Sequence, residues 1–181
     1  MNRVVLVGGG VRSGKSSFAL ARAQALGRRR AFIATAQALD DEMRKRIALH
    51  VKERDGAFST IEAPYDLSQS LAKLRDFDVA VIDCLTLWLS NLLLRGDAEE
   101  RVTNDAEALA RLLPELPFPV VLVTNEVGMG LVPDTALGRV FRDVAGRAHQ
   151  QIARVASELY FAALGCIVRL RPGPVAIEFP A

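Results

Sequence analysis

Short runs of consecutive apolar residues alternate along the chain with longer segments whose apolar positions recur every three or four residues. The runs at 4–7 (VVLV), 31–34 (AFIA), 79–83 (VAVID) and 120–124 (VVLVT) predict buried strands. Residues 58–61 predict a short one, and 166–170 and 175–179, joined by Arg171-Pro172-Gly173-Pro174, predict the closing strands. Helical spacing fills the intervals. The predicted helices are 15–26, with Phe18, Ala19, Ala21, Ala25 and Leu26 as its apolar face and Gly27 as its stop; 40–51, with Met43, Ile47 and His50 on one face; 66–74, introduced by Pro64; 86–94; and 99–113. Residues 136–164 are helix-compatible throughout, with a break allowed at Gly146. Segment 86–94 is apolar enough, with Leu87, Trp88, Leu89 and Leu92–Leu94, to need a cover. The choice is between the rest of the chain and a subunit interface, and the interface is the favoured expectation.

About five strand candidates alternating with helices predict an α/β fold, a mostly parallel sheet flanked by helices on both faces, with ligands at its carboxyl edge. At 181 residues the expectation is one domain, 1–181, whose single core buries roughly two thirds of the extended surface. Apolar residues make up 50% and charged residues 24%, which excludes a disordered composition. A net charge of +2 with no basic stripe argues against a nucleic-acid platform; Arg28-Arg29-Arg30 reads as a solvated helix end. The two cysteines, Cys84 and Cys166, lack metal-site spacing and lie beside apolar runs, as buried thiols do. The first strand is expected to start almost at once, without a leader segment, and no apolar run reaches about 18 residues. The expected location is therefore cytoplasmic, without a membrane span.

Chemistry enters where the first strand ends. Gly9-Gly10-Val11-Arg12-Ser13-Gly14-Lys15-Ser16 fits the phosphate-loop pattern, and the strand that this pattern must follow is in place. Successive backbone N–H groups of such a loop cradle a triphosphate, and side chains at Gly9 or Gly14 would obstruct it. Lys15 is expected to reach the β- and γ-phosphates and the Ser16 hydroxyl to ligate Mg²⁺, with the helix N-terminus adding its positive end. Asp83 closes a buried strand expected beside the first, where a carboxylate reaches the Mg²⁺ shell; a helix cap is its blander role. Thr35 ends the second strand, facing the same crevice as an expected nucleotide contact, and Asn125-Glu126 end the fourth. Arg139, Arg142 and Arg147, on the first half of segment 136–164, are either ordinary solvated helix or forks for substrate phosphate. His50, between Arg46 and Lys52, has the chemistry to attack a phosphorus, although a lone histidine on a helix is more often structural or exposed.

Four blocks in order, GGVRSGKSSFA at 9–19, IATAQALDDEMRKRIALH at 33–50, DCLTLWLSNLL at 83–93 and VTNEVGMGLVPDTALGRVFRDVAGRAHQ at 123–150, carry a resemblance that covers essentially the whole chain. The chain resembles the bifunctional adenosylcobinamide kinase / adenosylcobinamide-phosphate guanylyltransferase family of cobalamin synthesis. That resemblance implies a RecA-like phosphate-loop fold and two reactions. In one, ATP or GTP phosphorylates the hydroxyl of the aminopropanol arm of adenosylcobinamide. In the other, GMP passes from GTP to a histidine with release of pyrophosphate, and then to adenosylcobinamide phosphate, giving adenosylcobinamide-GDP. By motif position the histidine is His50. Relatives often carry a second histidine just before it, where this chain has Leu49.

The resemblance also implies Mg²⁺ or another divalent cation and a homo-oligomer, with Glu126 assisting the metal or activating the acceptor, and Glu62 contacting guanine or the metal. Two positions depart from the family pattern: His149 stands where asparagine is usual, and Phe58 where tryptophan is usual. Two other classes fit the phosphate loop alone. One is a single-function kinase without a covalent intermediate; the other is a nucleotide-binding switch that uses the apolar segment 86–94 for partners.

Overall fold

The computed structural model describes residues 2–38, 40–53, 56–173 and 175–178; the side chains at 42, 46, 49, 50, 53 and 176–178 lie outside the described residues. Strands β1 (Val4–Gly9), β2 (Arg30–Ala34), β3 (Ser59–Glu62), β4 (Val79–Asp83), β5 (Val120–Val123), β6 (Glu158–Ala163), β7 (Cys166–Arg171) and β8 (Ala176–Glu178) form one sheet in the order β3-β2-β4-β5-β1-β6-β7-β8. The first six strands in sequence pair in parallel, and β7 and β8 are antiparallel additions. The helices are α1 (Lys15–Leu26), α2 (Asp41–Glu53), α3 (Leu67–Lys73), α4 (Leu85–Arg95), α5 (Glu99–Leu112) and α6 (Ala136–Val155), with a 3₁₀ turn at Leu113–Glu115.

Continuous apolar strands arise because both faces of the sheet are covered. Val4 and Leu6 pack into one core with α3, α4, α5 and α6, while Val5 and Val7 pack into a second core under Ala19 and Ala23 of α1. The α1 contact is narrower than the spacing predicts. Phe18 and Leu26 are half-buried against the second core, but Ala21 and Ala25 are exposed.

Three expectations are corrected. Segment 86–94 is covered mostly within the chain: Trp88, Leu89 and Leu92 are almost wholly buried beneath α5 and α6, so most of its apolarity is core-forming, while Leu94 at its end is exposed. Segment 136–164 is one helix as far as Val155, unbroken at Gly146, and then a strand. From Glu158 the burial alternates with period two, and Tyr160 and Phe161 suit a pleated surface. The charge at Glu158 hides the strand in the sequence, because it reads as a solvated helix position. In the fold the carboxylate is buried and held by Arg3, Arg22 and the Tyr160 hydroxyl. Finally, β4 does not lie beside β1. β5 sits between them, which puts the strand of Asp83 two positions, roughly 10 Å, from the phosphate-loop strand.

Candidate functional site

β1, β5, β4 and β2 end side by side at the carboxyl edge, and their exits converge on the loop between β1 and α1. Gly9 has φ 149°, and a Cβ there would lie 2.2 Å from the Ala162 carbonyl oxygen. The glycine is therefore required by the close approach of β6. Gly14 has φ 93° at the N-cap of α1, a left-handed turn that frees the first N–H groups of the helix toward the loop.

Lys15 is only 6% exposed. Its Nζ donates to the Gly10 carbonyl and lies 3.4 Å from Ser13 Oγ, which itself donates to Gly10 O at 2.8 Å. Burial pushes its pKa down, and the Asp83 carboxylate nearby is among the groups that oppose that shift. The loop is thus folded around its own lysine, and the lysine faces the end of β4.

Asp83 does not cap a helix, since the N-cap of α4 is Cys84. Thr35 secures this strand end. Its wholly buried hydroxyl donates to Cys84 O at 2.8 Å and accepts from Cys84 N at 2.7 Å, so Thr35 positions Asp83-Cys84 instead of offering its hydroxyl to the crevice. Asn91 of α4 fixes Thr35 in turn, donating to its carbonyl at 2.7 Å.

Between β1 and β4, the exit of β5 supplies Thr124, Asn125 and Glu126. Glu126 N–H donates to Gly9 O at 2.9 Å, tying this exit to the phosphate loop, and its carboxylate accepts from Gly128 N. Asn125 Nδ2 donates to Thr86 Oγ1 at 3.2 Å, and Thr86 lies 2.9 Å from Cys84 Sγ. Asn125 and Thr86 thereby join the site through Cys84. Their signal in the sequence was a polar side chain at the end of a fully buried strand and a threonine directly after the Asp83-Cys84 corner. Burial, and then the Asp83 charge, push the Cys84 thiol up, so it stays protonated and polar without being a nucleophile.

His149 of α6 bonds Thr124 Oγ1 at 2.6 Å. Burial pushes its pKa down, against a smaller upward pull from Glu126. Between that lowered value and about 6.5 the unfolded chain binds more protons than the folded one. The neutral ring therefore contributes stability that is complete above about 6.5 and lost as the pH falls below it. In His149→Asn, which keeps a partner for Thr124, the unfolding free energies from urea titrations at about pH 7.5 and about pH 5.5 are expected to differ less than in the parent. Equal pH dependence in both proteins would contradict this.

The arginines divide by helix face. Arg142, with a side chain 24% exposed, lies two turns before His149 on the same face of α6. Arg139 donates to Pro133 O and Asp134 O and so braces the loop after β5. Arg147 points to α5, where it pairs with Glu99 at 2.9 Å. A groove of about 340 Å³ between α5 and α6 is lined by these two residues together with Glu100, Thr103 and Asn104. Glu62 is exposed at the end of the edge strand β3, four strands and roughly 19 Å from β1. On α2, Met43 and Ile47 are half-buried, as the predicted face requires; the side chain of His50 on the same helix lies outside the described residues.

The sequence matches the model of the family described as "Cobinamide kinase / cobinamide phosphate guanyltransferase" over residues 5–170. The chain belongs to that family. It is 42% identical to the bifunctional adenosylcobalamin biosynthesis protein CobP of Pseudomonas aeruginosa, covering 94% of this chain and 98% of that protein. It is 37% identical to the bifunctional adenosylcobalamin biosynthesis protein CobU of Escherichia coli, over 93% and 99%. Among solved structures it is similar to the RadB recombinase, with a TM-score of 0.53 and 18% identity over 97% of this chain and 86% of that one. The RadB likeness supports the expected RecA-like sheet and nothing about chemistry.

As a member of this family the protein is a bifunctional cobinamide kinase and cobinamide phosphate guanylyltransferase, and it uses nucleotide substrates. Among the described residues, no helix is long and apolar enough to cross a membrane.

Proposed function

We propose that one pocket, at the exits of β1, β4 and β5, serves both reactions, with His50 as the group that carries GMP between them. The observation that carries this reading is the buried Lys15, folded into its glycine loop and facing Asp83, with Glu126 tied to the same loop. In the kinase step the acceptor hydroxyl of adenosylcobinamide attacks the γ-phosphorus of ATP or GTP. The bond to the β-phosphate oxygen breaks, the nucleoside diphosphate leaves, and Glu126 takes the hydroxyl proton. In the transfer step a neutral His50 nitrogen attacks the α-phosphorus of GTP and pyrophosphate leaves. A phosphate oxygen of adenosylcobinamide phosphate then displaces the histidine. Lys15 and the N–H groups of residues 10–16 hold the phosphates throughout. Arg142 is the fork best placed for the incoming phosphate.

The donor set fits a hard divalent cation. The Ser16 hydroxyl in the first turn of α1 and the Asp83 carboxylate beside Lys15 are oxygen donors, and Mg²⁺ typically takes few protein oxygens, with phosphate and water completing its shell. Such an ion supplies neutralisation of phosphate charge. Glu62 belongs to the far end of the crevice, where the guanine of a nucleotide laid along the sheet edge arrives.

α2 supports the carrier role by its position. It leaves the carboxyl edge after β2, with Met43 and Ile47 half-buried on one face. Two measurements test the reading together. GTP alone is expected to release one equivalent of pyrophosphate per active chain, followed by turnover once adenosylcobinamide phosphate is added. Amide exchange across residues 38–52 is expected to slow when GTP binds. Absence of the pyrophosphate burst would contradict the covalent step, and unchanged exchange would contradict closure of α2.

A further inference from the structure

The loop that leaves Glu126 presents large apolar side chains to solvent. Met129 is 81% exposed, Leu131 95% and Val132 62%, and Val11, at the tip of the phosphate loop, is 74% exposed. The loop is held at both ends. Glu126 N–H is bonded to Gly9 O, Val127 packs against the main core, and Arg139 grips the carbonyls of Pro133 and Asp134. A braced loop that turns its large apolar residues outward exposes them to water at a cost unless something binds there.

We infer that Met129, Leu131 and Val132 form the docking surface for the corrin ring of the cobinamide substrate. The inference rests on the reading that places the acceptor group at Glu126. Reach decides between occupants. The reacting hydroxyl or phosphate hangs from the macrocycle by a short arm, so the ring must lie beside the point where that group meets the nucleotide.

Met129 is three residues past Glu126 and within about 10 Å of it along the chain. The other strongly exposed large apolar residues among those described include Leu94, Leu164 and Val175, which end α4, turn between β6 and β7, and precede β8. None of these follows a strand exit that carries a site residue. The corrin ring, large and edged with methyl groups, matches an open apolar patch better than an enclosed pocket, and a thioether and branched aliphatics adapt to such a surface.

The test is the double variant Met129→Ser/Leu131→Ser in the full chain. It is assayed for retention of α-labelled GMP from GTP alone, and for KM of adenosylcobinamide phosphate in the complete transfer. Labelling is expected to match the parent within about twofold, while KM rises roughly ten- to a hundredfold. Met129→Leu is expected to restore most of the loss at its position.

An unchanged KM with normal labelling would overturn the assignment. So would an equal fall in labelling, which would place the loop's role in the nucleotide half of the site. An unchanged KM with a smaller assembly in sedimentation would make these side chains a contact between copies, and would also overturn it. Failure of the parent protein itself to take up label is a separate outcome and strikes the histidine reading. In that case the KM for adenosylcobinamide in the kinase assay, with the same expected rise, decides the docking surface.

Discussion

His50→Asn is expected to stop guanylyl transfer, with a fall of at least roughly 10⁴, while the kinase rate stays within about threefold of the parent. The asymmetry follows from the chemistry assigned to each step. The kinase reaction is a direct displacement at the γ-phosphorus and needs positioning and charge, which come from residues 9–16, Asp83 and Glu126. The transfer has no such direct route in this reading, and removing a covalent nucleophile costs orders of magnitude even when every binding contact remains. Asparagine keeps a polar side chain on α2 without a nucleophilic nitrogen. Separate assays with adenosylcobinamide and with adenosylcobinamide phosphate check the split. Equal loss of both activities would mean that His50 acts on the shared nucleotide site, and unimpaired transfer would remove it from the mechanism.

Lys15→Met gives the opposite pattern, with both activities reduced by about 10²–10³. One cation serves the phosphates in both reactions, and loss of a single preorganised donor to a developing anion typically costs that much. The folded apo protein is expected to be as stable as the parent or more so. Lys15 is a buried ammonium whose pKa is lowered by desolvation, so the charge is itself unfavourable in the folded state without nucleotide, and methionine fills a similar volume without it. Thermal denaturation without nucleotide and initial rates in both assays provide the check. A large loss of apo stability would show that the Nζ bond to Gly10 is structural, and retention of either activity would show that the two reactions do not share this lysine.

The elements that were legible in the sequence are those whose surroundings are uniform. β1, β2, β4 and β5 are buried on both faces and read as unbroken apolar runs, and the phosphate loop announces itself because backbone approach excludes side chains. What escaped depended on contacts made far along the chain. Glu158 suits a buried strand only because Arg3, just before β1, and Arg22 of α1 arrive to neutralise it. The apolar face of α4 has the composition of an interface until α5 and α6 are seen to cover it. Strand order was equally hidden, because β5 is inserted between β1 and β4 by the path of the connections and not by any residue type.

The candidate site divides in the same way. Asp83 and Glu126 are brought to one edge by β4 and by the exit of β5, and Lys15 by the loop that joins β1 to α1. Thr35 and Arg147 have the residue types of ligand-binding groups, yet their hydrogen bonds go to Cys84 and Glu99. Asn125 and Thr86 show their connection to Cys84 only in three dimensions.

The shared-pocket account is tested most directly by asking which atom of the protein holds the nucleotide. The protein is incubated with GTP and a divalent cation, denatured under alkaline conditions, digested and mapped by mass spectrometry. The account predicts a single GMP per chain, acid-labile and alkali-stable, on the peptide containing His50. No retained GMP, or GMP carried by Lys15 or any residue other than His50, would contradict it.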